Sequence, residues 1–219
     1  MAAGLRLGAR GLIGAGEGNL SVRLADGALL ITPAGRRKDE LQPSDIVRVG
    51  DGAASPGSSS GGPRPSSDLA IHRAVYAARP DVGAVAHAHL PAAMALTLAG
   101  AIPDPAALPE TALLLPRLPF VPFGEPGSAE LASRIAAALR EGPEPLPGAA
   151  LLERHGAVAV GASIEEAVDR LELVEILCRT WRDALLIRAA TNGPDREAIL
   201  RRPSPRPGTP ARGRARREQ

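Results

Sequence analysis

The residues best suited to chemistry lie between Pro65 and His89, in the stretch PSSDLAIHRAVYAARPDVGAVAHAH. It reads as a helix followed by a strand that ends in two histidines. Side chains alternate along a strand, so His87 and His89 point to one side, roughly 6.6 Å apart at ~3.3 Å per residue. Two imidazoles at that spacing can grip one metal ion. Set on one face of an apolar strand, they otherwise bury ring nitrogens that need partners. Zinc held by imidazoles sits about 2.0 to 2.1 Å from each nitrogen, and a catalytic site takes three protein ligands and keeps one position open. The chain has four histidines. His155, in the apolar run LLERHGAVAVG with Gly156 behind it to permit a close backbone approach, is a candidate third ligand and equally a buried polar residue with a satisfied hydrogen bond. His72 reads as a residue of the latter kind.

The elements that must position these groups follow from local chemistry. Ser66 or Ser67 caps a helix, because a hydroxyl there accepts a backbone N–H that the first turn leaves unpaired. Asp68 falls in that first turn, where a negative side chain contributes about 0.3 to 1 kcal/mol. Ile71, Ala74, Val75 and Ala78 form one apolar stripe, and Pro80 stops the helix near Arg79. Asp68 and His72, four apart, share a face. Val82 to His89 is short enough for a strand, bounded by Pro80-Asp81 and by Pro91.

Upstream, Ala2 to Ile13 reads as a short helix. Gly14, Gly16 and Gly18 make a turn whose backbone N–H groups either bind an anion or form a tight connection. Asn19 to Leu24 and Ala28 to Thr32 form a hairpin at Asp26-Gly27. Arg36, Arg37 and Lys38 form a solvated basic loop, and Ile46 to Val49 is a short strand. Downstream, Pro91 to Leu98 is helical, and the proline-bearing stretch from Ile102 to Leu115 is a loop carrying Glu110 as a solvated carboxylate. Leu118 to Phe123 is an edge strand. Ser128 caps a helix through Leu139, and Ala149 to Glu153 leads as a strand to His155. Ser163 and Glu166 form a capping box before a helix that runs to about Arg188 and holds Cys178 and Trp181 in the core.

Composition narrows the class. With 219 residues, 44% hydrophobic but only 2% aromatic, the chain supports one domain whose core is built from Ala, Leu and Val. One cysteine excludes an intrachain disulfide and points to a reducing compartment. No run of eighteen apolar residues and no secretory pattern occurs, so no membrane association is expected and the cytoplasm is the expected location. Gly50 to Arg64, rich in Gly, Ser and Pro, is expected to be a mobile surface loop. Residues 1–190 form the domain. Residues 191–219 form a basic tail of disordered composition; the last nineteen carry seven arginines and one acid, so any nucleic-acid contact is expected from the tail alone.

Four blocks occur in a fixed order: GEGNLSVRL at Gly16 to Leu24, ITPAG at Ile31 to Gly35, PSSDLAIH through HAH at Pro65 to His89, and HGAVAVG at His155 to Gly161. Together they resemble the class II aldolase and adducin-head family. The resemblance implies an α/β fold of three layers, α/β/α, with a central, mainly antiparallel sheet flanked by helices. It implies Zn2+ or another divalent ion on His87, His89 and His155, and acid/base roles for Asp68 and Glu110. A substrate phosphate would be held by Gly18, Asn19, Gly35, Ser66 and Ser67. Two departures stand out: Gly16 and Ala34 replace hydroxyl residues common in relatives, and Glu17 brings a negative charge to the phosphate loop. The resemblance further implies a homotetramer with sites between subunits. The reaction it implies is metal-assisted lyase chemistry on a small sugar-like hydroxyketone through an enediolate. Epimerisation of a pentulose phosphate, or dehydration of the methylthioribulose-phosphate type, would use the same site, and an adducin-like binding module would not need it.

Overall fold

The computed structural model describes residues 1–50 and 62–191. Most of the loop expected at Gly50 to Arg64, and the tail beyond Thr191, lie outside the described residues. Met1 to Arg182 close into one compact unit. Six helices, α1 (Ala2–Ala9), α2 (Leu69–Ala78), α3 (Pro91–Leu98), α4 (Pro109–Leu114), α5 (Ala129–Arg140) and α6 (Ile164–Thr191), accompany seven strands among the described residues. The strands are β1 (Asn19–Arg23), β2 (Leu29–Ile31), β3 (Val47–Val49), β4 (Ala84–Ala88), β5 (Phe120–Val121), β6 (Ala149–Leu152) and β7 (Gly156–Gly161). They form one sheet in the order β3-β2-β1-β4-β7-β6-β5, antiparallel throughout except for the β5–β6 pair at one edge.

The two-residue period of a strand sorts the core into two layers. Ala84, Ala86 and Ala88 of β4, with Ala157 and Ala159 of β7, pack under residues of α1, α3 and α6. Val85, Val158 and Val160 face the opposite way, against α2 and α5. Small side chains on one face and branched ones on the other let a sheet nearly devoid of aromatics close against helices on both sides. Cys178 is fully buried in the first layer, where burial pushes its thiol up to about 12, and Trp181 packs against that layer. Cys178 is a core residue, as expected, whereas Trp181 is half-buried at the margin of that layer.

Several boundaries differ from expectation for local reasons. The first helix ends at Ala9, and Gly11 takes a left-handed conformation two residues later. Ile102 to Leu115 is not all loop: Pro109 starts a six-residue helix, α4, with Glu110 in its first turn, because proline at the first helical position lacks only an N–H that would be unpaired there anyway. The edge strand shrinks to two residues. Ser128 caps α5 by accepting from the Leu131 N–H at 3.1 Å. Ser163 likewise accepts from Glu166 N at 3.2 Å, whereas the Glu166 carboxylate reaches past the cap to Ala162 N at 2.7 Å.

Candidate metal centre

Three imidazoles converge at one end of the two central strands. His87 is the penultimate residue of β4, on the same face as Val85, His89 follows one residue beyond the strand, and His155 sits in the turn between β6 and β7 rather than within a strand. The ring centroids of His87 and His89 are 5.0 Å apart, and each lies 4.8 Å from that of His155. One nitrogen from each ring lies within 4.8 Å of the others. A tetrahedral ion with bonds of about 2.05 Å needs its ligand atoms about 3.4 Å apart, so small rotations of three rings suffice.

The β6–β7 turn delivers His155 because its backbone is fixed on several sides. Arg154 takes φ +57 and Gly156 φ +87. The Arg154 N–H donates to Thr97 Oγ1 at 3.0 Å, tying the turn to α3. The Arg154 guanidinium stacks 4.3 Å above the Phe123 ring, while Glu153 accepts from Phe123 N at 2.8 Å. The start of α3 is itself held by the buried Glu175 carboxylate, which accepts from Ala92 N and Ala93 N at 3.1 to 3.3 Å. At Gly156 the hairpin passes so near the end of β4 that a Cβ would lie 2.8 Å from His89 Cα and 2.9 Å from Leu90 N, and closer still to the Ala88 carbonyl oxygen. Only glycine permits this approach.

The donor atoms fit a cation. His87 Nδ1 donates to Ala157 O at 2.9 Å, which fixes the tautomer and leaves the lone pair on Nε2 bare. His87 Nε2 and His155 Nδ1 are both buried without a hydrogen-bond partner. An orphaned buried polar atom costs about 1 to 3 kcal/mol, and two of them on touching rings ask for a shared ligand. Burial, followed by the neighbouring imidazoles His155 and His89, holds His87 well below the ordinary histidine range. Burial and then His89 lower His155. Both rings are therefore neutral near pH 7, the state that ligates metal.

Asp68 stands next to this trio. Contrary to expectation it forms the boundary of α2 rather than its first turn, and its side chain caps no backbone N–H. Ser66 Oγ accepts only from Asp68 N, at 3.3 Å and ahead of the helix, so neither Ser66 nor Ser67 caps the first turn as expected. The Asp68 carboxylate instead turns toward the sheet. Its Oδ2 lies 4.0 Å from His87 Nε2 and accepts from Asn19 Nδ2 at 2.8 Å. Asn19 is in turn the β1 residue directly opposite His87 in the sheet. Most of its amide is already committed, since Asn19 Oδ1 lies 2.5 Å from His72 Nε2.

The remaining expected residues are placed unevenly. Gly18, at φ +68, passes under β4, where a Cβ would lie 2.8 Å from the His87 carbonyl oxygen. Gly35, at φ +67, borders open space and lies against Gly16. Ser66 and the exposed Ser67 line a cavity of about 520 Å³ with Ala34, Arg64 and Arg73. Glu110 is exposed on α4 and, among the described residues, shares no hydrogen bond or ion pair with the trio.

Three features escaped the sequence. Of the basic run, Arg36 and Arg37 are paired at the surface with Asp45, Asp39 and Glu40, but Lys38 is buried, which lowers its pKa. Its ammonium donates to Gly16 O at 2.6 Å and to Arg36 O at 2.7 Å, clasping the two glycine-bearing loops together. Glu17 stays exposed, yet its Oε1 comes to 3.7 Å from His89 Nδ1. His72, as expected, is a satisfied core histidine, but its partners lead straight to Asp68. Polar residues at positions 68, 72 and 76 of an otherwise apolar helix face were the available signal.

Relatives carry the same architecture. The chain is 39% identical over 167 residues to 5-methylthioribulose-1-phosphate/5-deoxyribulose-1-phosphate aldolase of Rhodospirillum rubrum, covering 75% of this chain and 71% of that one. It is 34% identical over 182 residues to 3-oxo-tetronate 4-phosphate decarboxylase of Cupriavidus necator, covering 81% and 79%. The crystal structure of L-fuculose-1-phosphate aldolase from Thermus thermophilus superposes with a TM-score of 0.74 at 31% identity, covering 88% of this chain and 94% of that one. Residues 1–182 match the family model for the Class II Aldolase and Adducin N-terminal domain. With its ordered sequence blocks, its seven-stranded sheet and its three converging imidazoles, the chain belongs to the class II aldolase and adducin family.

Proposed function

We propose that this chain is a divalent-metal-dependent lyase that cleaves or forms a carbon–carbon bond in a small, phosphorylated hydroxyketone. The observation that carries the reading is the pair of orphaned, buried ring nitrogens on His87 and His155, facing His89, with the Asp68 carboxylate alongside. His87, His89 and His155 would hold the ion, and a set of three imidazole ligands suits zinc. When bound, such an ion polarises a substrate carbonyl and its neighbouring hydroxyl as a Lewis acid.

This chain's own residues supply the rest. Asp68 takes and returns the proton at the carbon next to the carbonyl, the general acid/base work the reaction requires. Gly18 and Gly35 present backbone N–H groups to the phosphate, with Ser66, Ser67 and the remaining amide hydrogen of Asn19. Arg64 and Arg73 at the same cavity add positive charge where Ala34 lacks a hydroxyl. Glu110 is the second acid/base group in this scheme, and because it is exposed it acts on a site completed by a neighbouring subunit of a homotetramer. Sedimentation equilibrium tests that assembly, and a monomer with full activity would remove Glu110 from the scheme.

The reaction is tested by incubating purified protein with dihydroxyacetone phosphate and short aldehydes, with and without chelator. Metal-dependent condensation is the expected result. Condensation that ignores chelator, or no condensation after supplementation with zinc, manganese or cobalt, overturns the reading.

A further inference from the structure

Behind Asp68 runs a buried line of hydrogen bonds to which, apart from the second amide hydrogen of Asn19, the reaction scheme gives no task. Asn19 Nδ2 donates to Asp68 Oδ2 at 2.8 Å, and Asn19 Oδ1 lies 2.5 Å from His72 Nε2. His72 Nδ1 lies 2.6 Å from Ser21 Oγ, which lies 2.9 Å from the Tyr76 hydroxyl, and that hydroxyl also donates to Ser21 O at 3.1 Å. All five residues are buried. The line exists because two periodicities match. Asp68, His72 and Tyr76 rise about 6.0 Å per four residues along α2, while Asn19 and Ser21 rise about 6.7 Å per two residues along β1. Helix and strand therefore interleave their polar groups one for one.

The direction of every bond follows from its end. An ionised carboxylate only accepts, so Asn19 must turn its amide nitrogen toward Asp68 and its oxygen toward His72. His72 must then donate from Nε2 and accept at Nδ1 from the Ser21 hydroxyl, which leaves the single Tyr76 hydroxyl hydrogen to be shared between Ser21 Oγ and Ser21 O. The donors all point the same way, so each bond polarises the next. The line cannot carry a proton through, because the Asn19 amide neither gains nor loses one near neutral pH. Its remaining use is to hold a carboxylate oxygen in place.

We propose that Asn19, His72, Ser21 and Tyr76 are positioning residues for Asp68: they pin Oδ2 against the sheet so that Oδ1, which has no donor among the described residues, is the oxygen that meets the substrate proton. This rests on Asp68 being the proton-moving group of the proposed lyase. A group held on a rigid sheet and helix keeps the alignment that proton transfer needs, and a misplacement of about 1 Å costs on the order of 10²-fold in rate.

The test uses metal-loaded full-length protein and deuterium exchange at the hydroxymethyl carbon of dihydroxyacetone phosphate, next to its carbonyl, followed by proton NMR. Asp68→Asn sets the floor. In His72→Phe, which fills the volume without an N–H, kcat for exchange is expected to fall about 10- to 100-fold, with KM and metal content unchanged. His72→Gln, which restores a donor, is expected to recover part of the loss. Wild-type kcat in His72→Phe beside an inactive Asp68→Asn overturns the positioning line. An active Asp68→Asn instead overturns the choice of base in the proposed function, and the line with it. Should His72→Phe not fold, Ser21→Ala and a long-range proton–nitrogen NMR spectrum of the metal-free wild type decide independently of activity. A His72 ring protonated on Nε2 supports the line, and one protonated on Nδ1 reverses its direction and refutes it.

Discussion

Replacing Gly156 by alanine separates the metal centre from the fold that builds it. The added Cβ would stand 2.8 Å from His89 Cα and 2.9 Å from Leu90 N, where carbon atoms normally rest about 3.5 to 4.0 Å apart. The β6–β7 turn and the end of β4 must then separate by roughly 0.7 Å or more. Metal–ligand distances tolerate only about ±0.2 Å, so His155 is drawn out of reach of an ion still held by His87 and His89. Loss of that contact is expected to weaken zinc binding by at least about 10- to 100-fold, the range seen when groups supporting a ligand are removed. The strained φ of +87 adds roughly 1 to 3 kcal/mol of destabilisation by itself. Gly35→Ala is the matched control: its φ is +67 but nothing lies within 4 Å of the new Cβ, so it pays the conformational term alone and keeps its zinc affinity. Competition with a chromophoric chelator measures the affinity, and urea unfolding of the metal-free proteins measures the stability. Zinc affinity in Gly156→Ala within threefold of the wild type would falsify the idea that this close approach sets the third ligand.

Four further outcomes follow from the same geometry. Burial holds His72 down to about 3, against about 6.5 in an unfolded chain, so the unfolded state binds a proton the folded state refuses. Stability of the metal-free protein is therefore expected to fall by up to about 1.4 kcal/mol per pH unit as pH drops from about 6 toward 3, and to be unaffected by this residue above about 7. Urea titrations across that window should show a shallower dependence in His72→Phe, and identical slopes would refute the assignment. His155→Ala is expected to lose the ion while keeping the fold, read as loss of bound zinc with unchanged far-ultraviolet circular dichroism. Zinc at a hundred times its Kd is expected to stabilise the wild type by about 2.7 kcal/mol and His155→Ala by far less, measured by thermal unfolding with and without chelator. Ser128→Ala removes the cap of α5 and is expected to cost about 1 kcal/mol of stability with no change in metal affinity.

Much of the scaffold was legible because its signals are local. Pro80 ends α2, Asp26-Gly27 turns the first hairpin, Ser128 and Ser163 start their helices, and Gly156 announces a tight passage. The order of the four sequence blocks could be read as a family resemblance, and the family match over residues 1–182 bears that out. What could not be read were choices settled by tertiary partners. Whether Asp68 caps its helix or turns to Asn19 depends on a strand nearly fifty residues away. Lys38 resembles its exposed neighbours in type but is buried, because two loop carbonyls converge on its ammonium. Helix α4 rests on a proline whose preference for a first helical position only the surrounding fold could reveal.

The sheet order has a mechanical implication. β4 occupies the middle of seven strands, β7 is its neighbour, and the three imidazoles come from the end of one and the approach to the other. An ion there would rivet the sheet across its centre line, leaving the rims at β3 and β5 to breathe as before. Amide protons of Val85 to Ala88 and Ala157 to Val160 would then be the ones whose exchange slows on loading, so that the best-sheltered part of the sheet, and not its periphery, would report whether the ion is present.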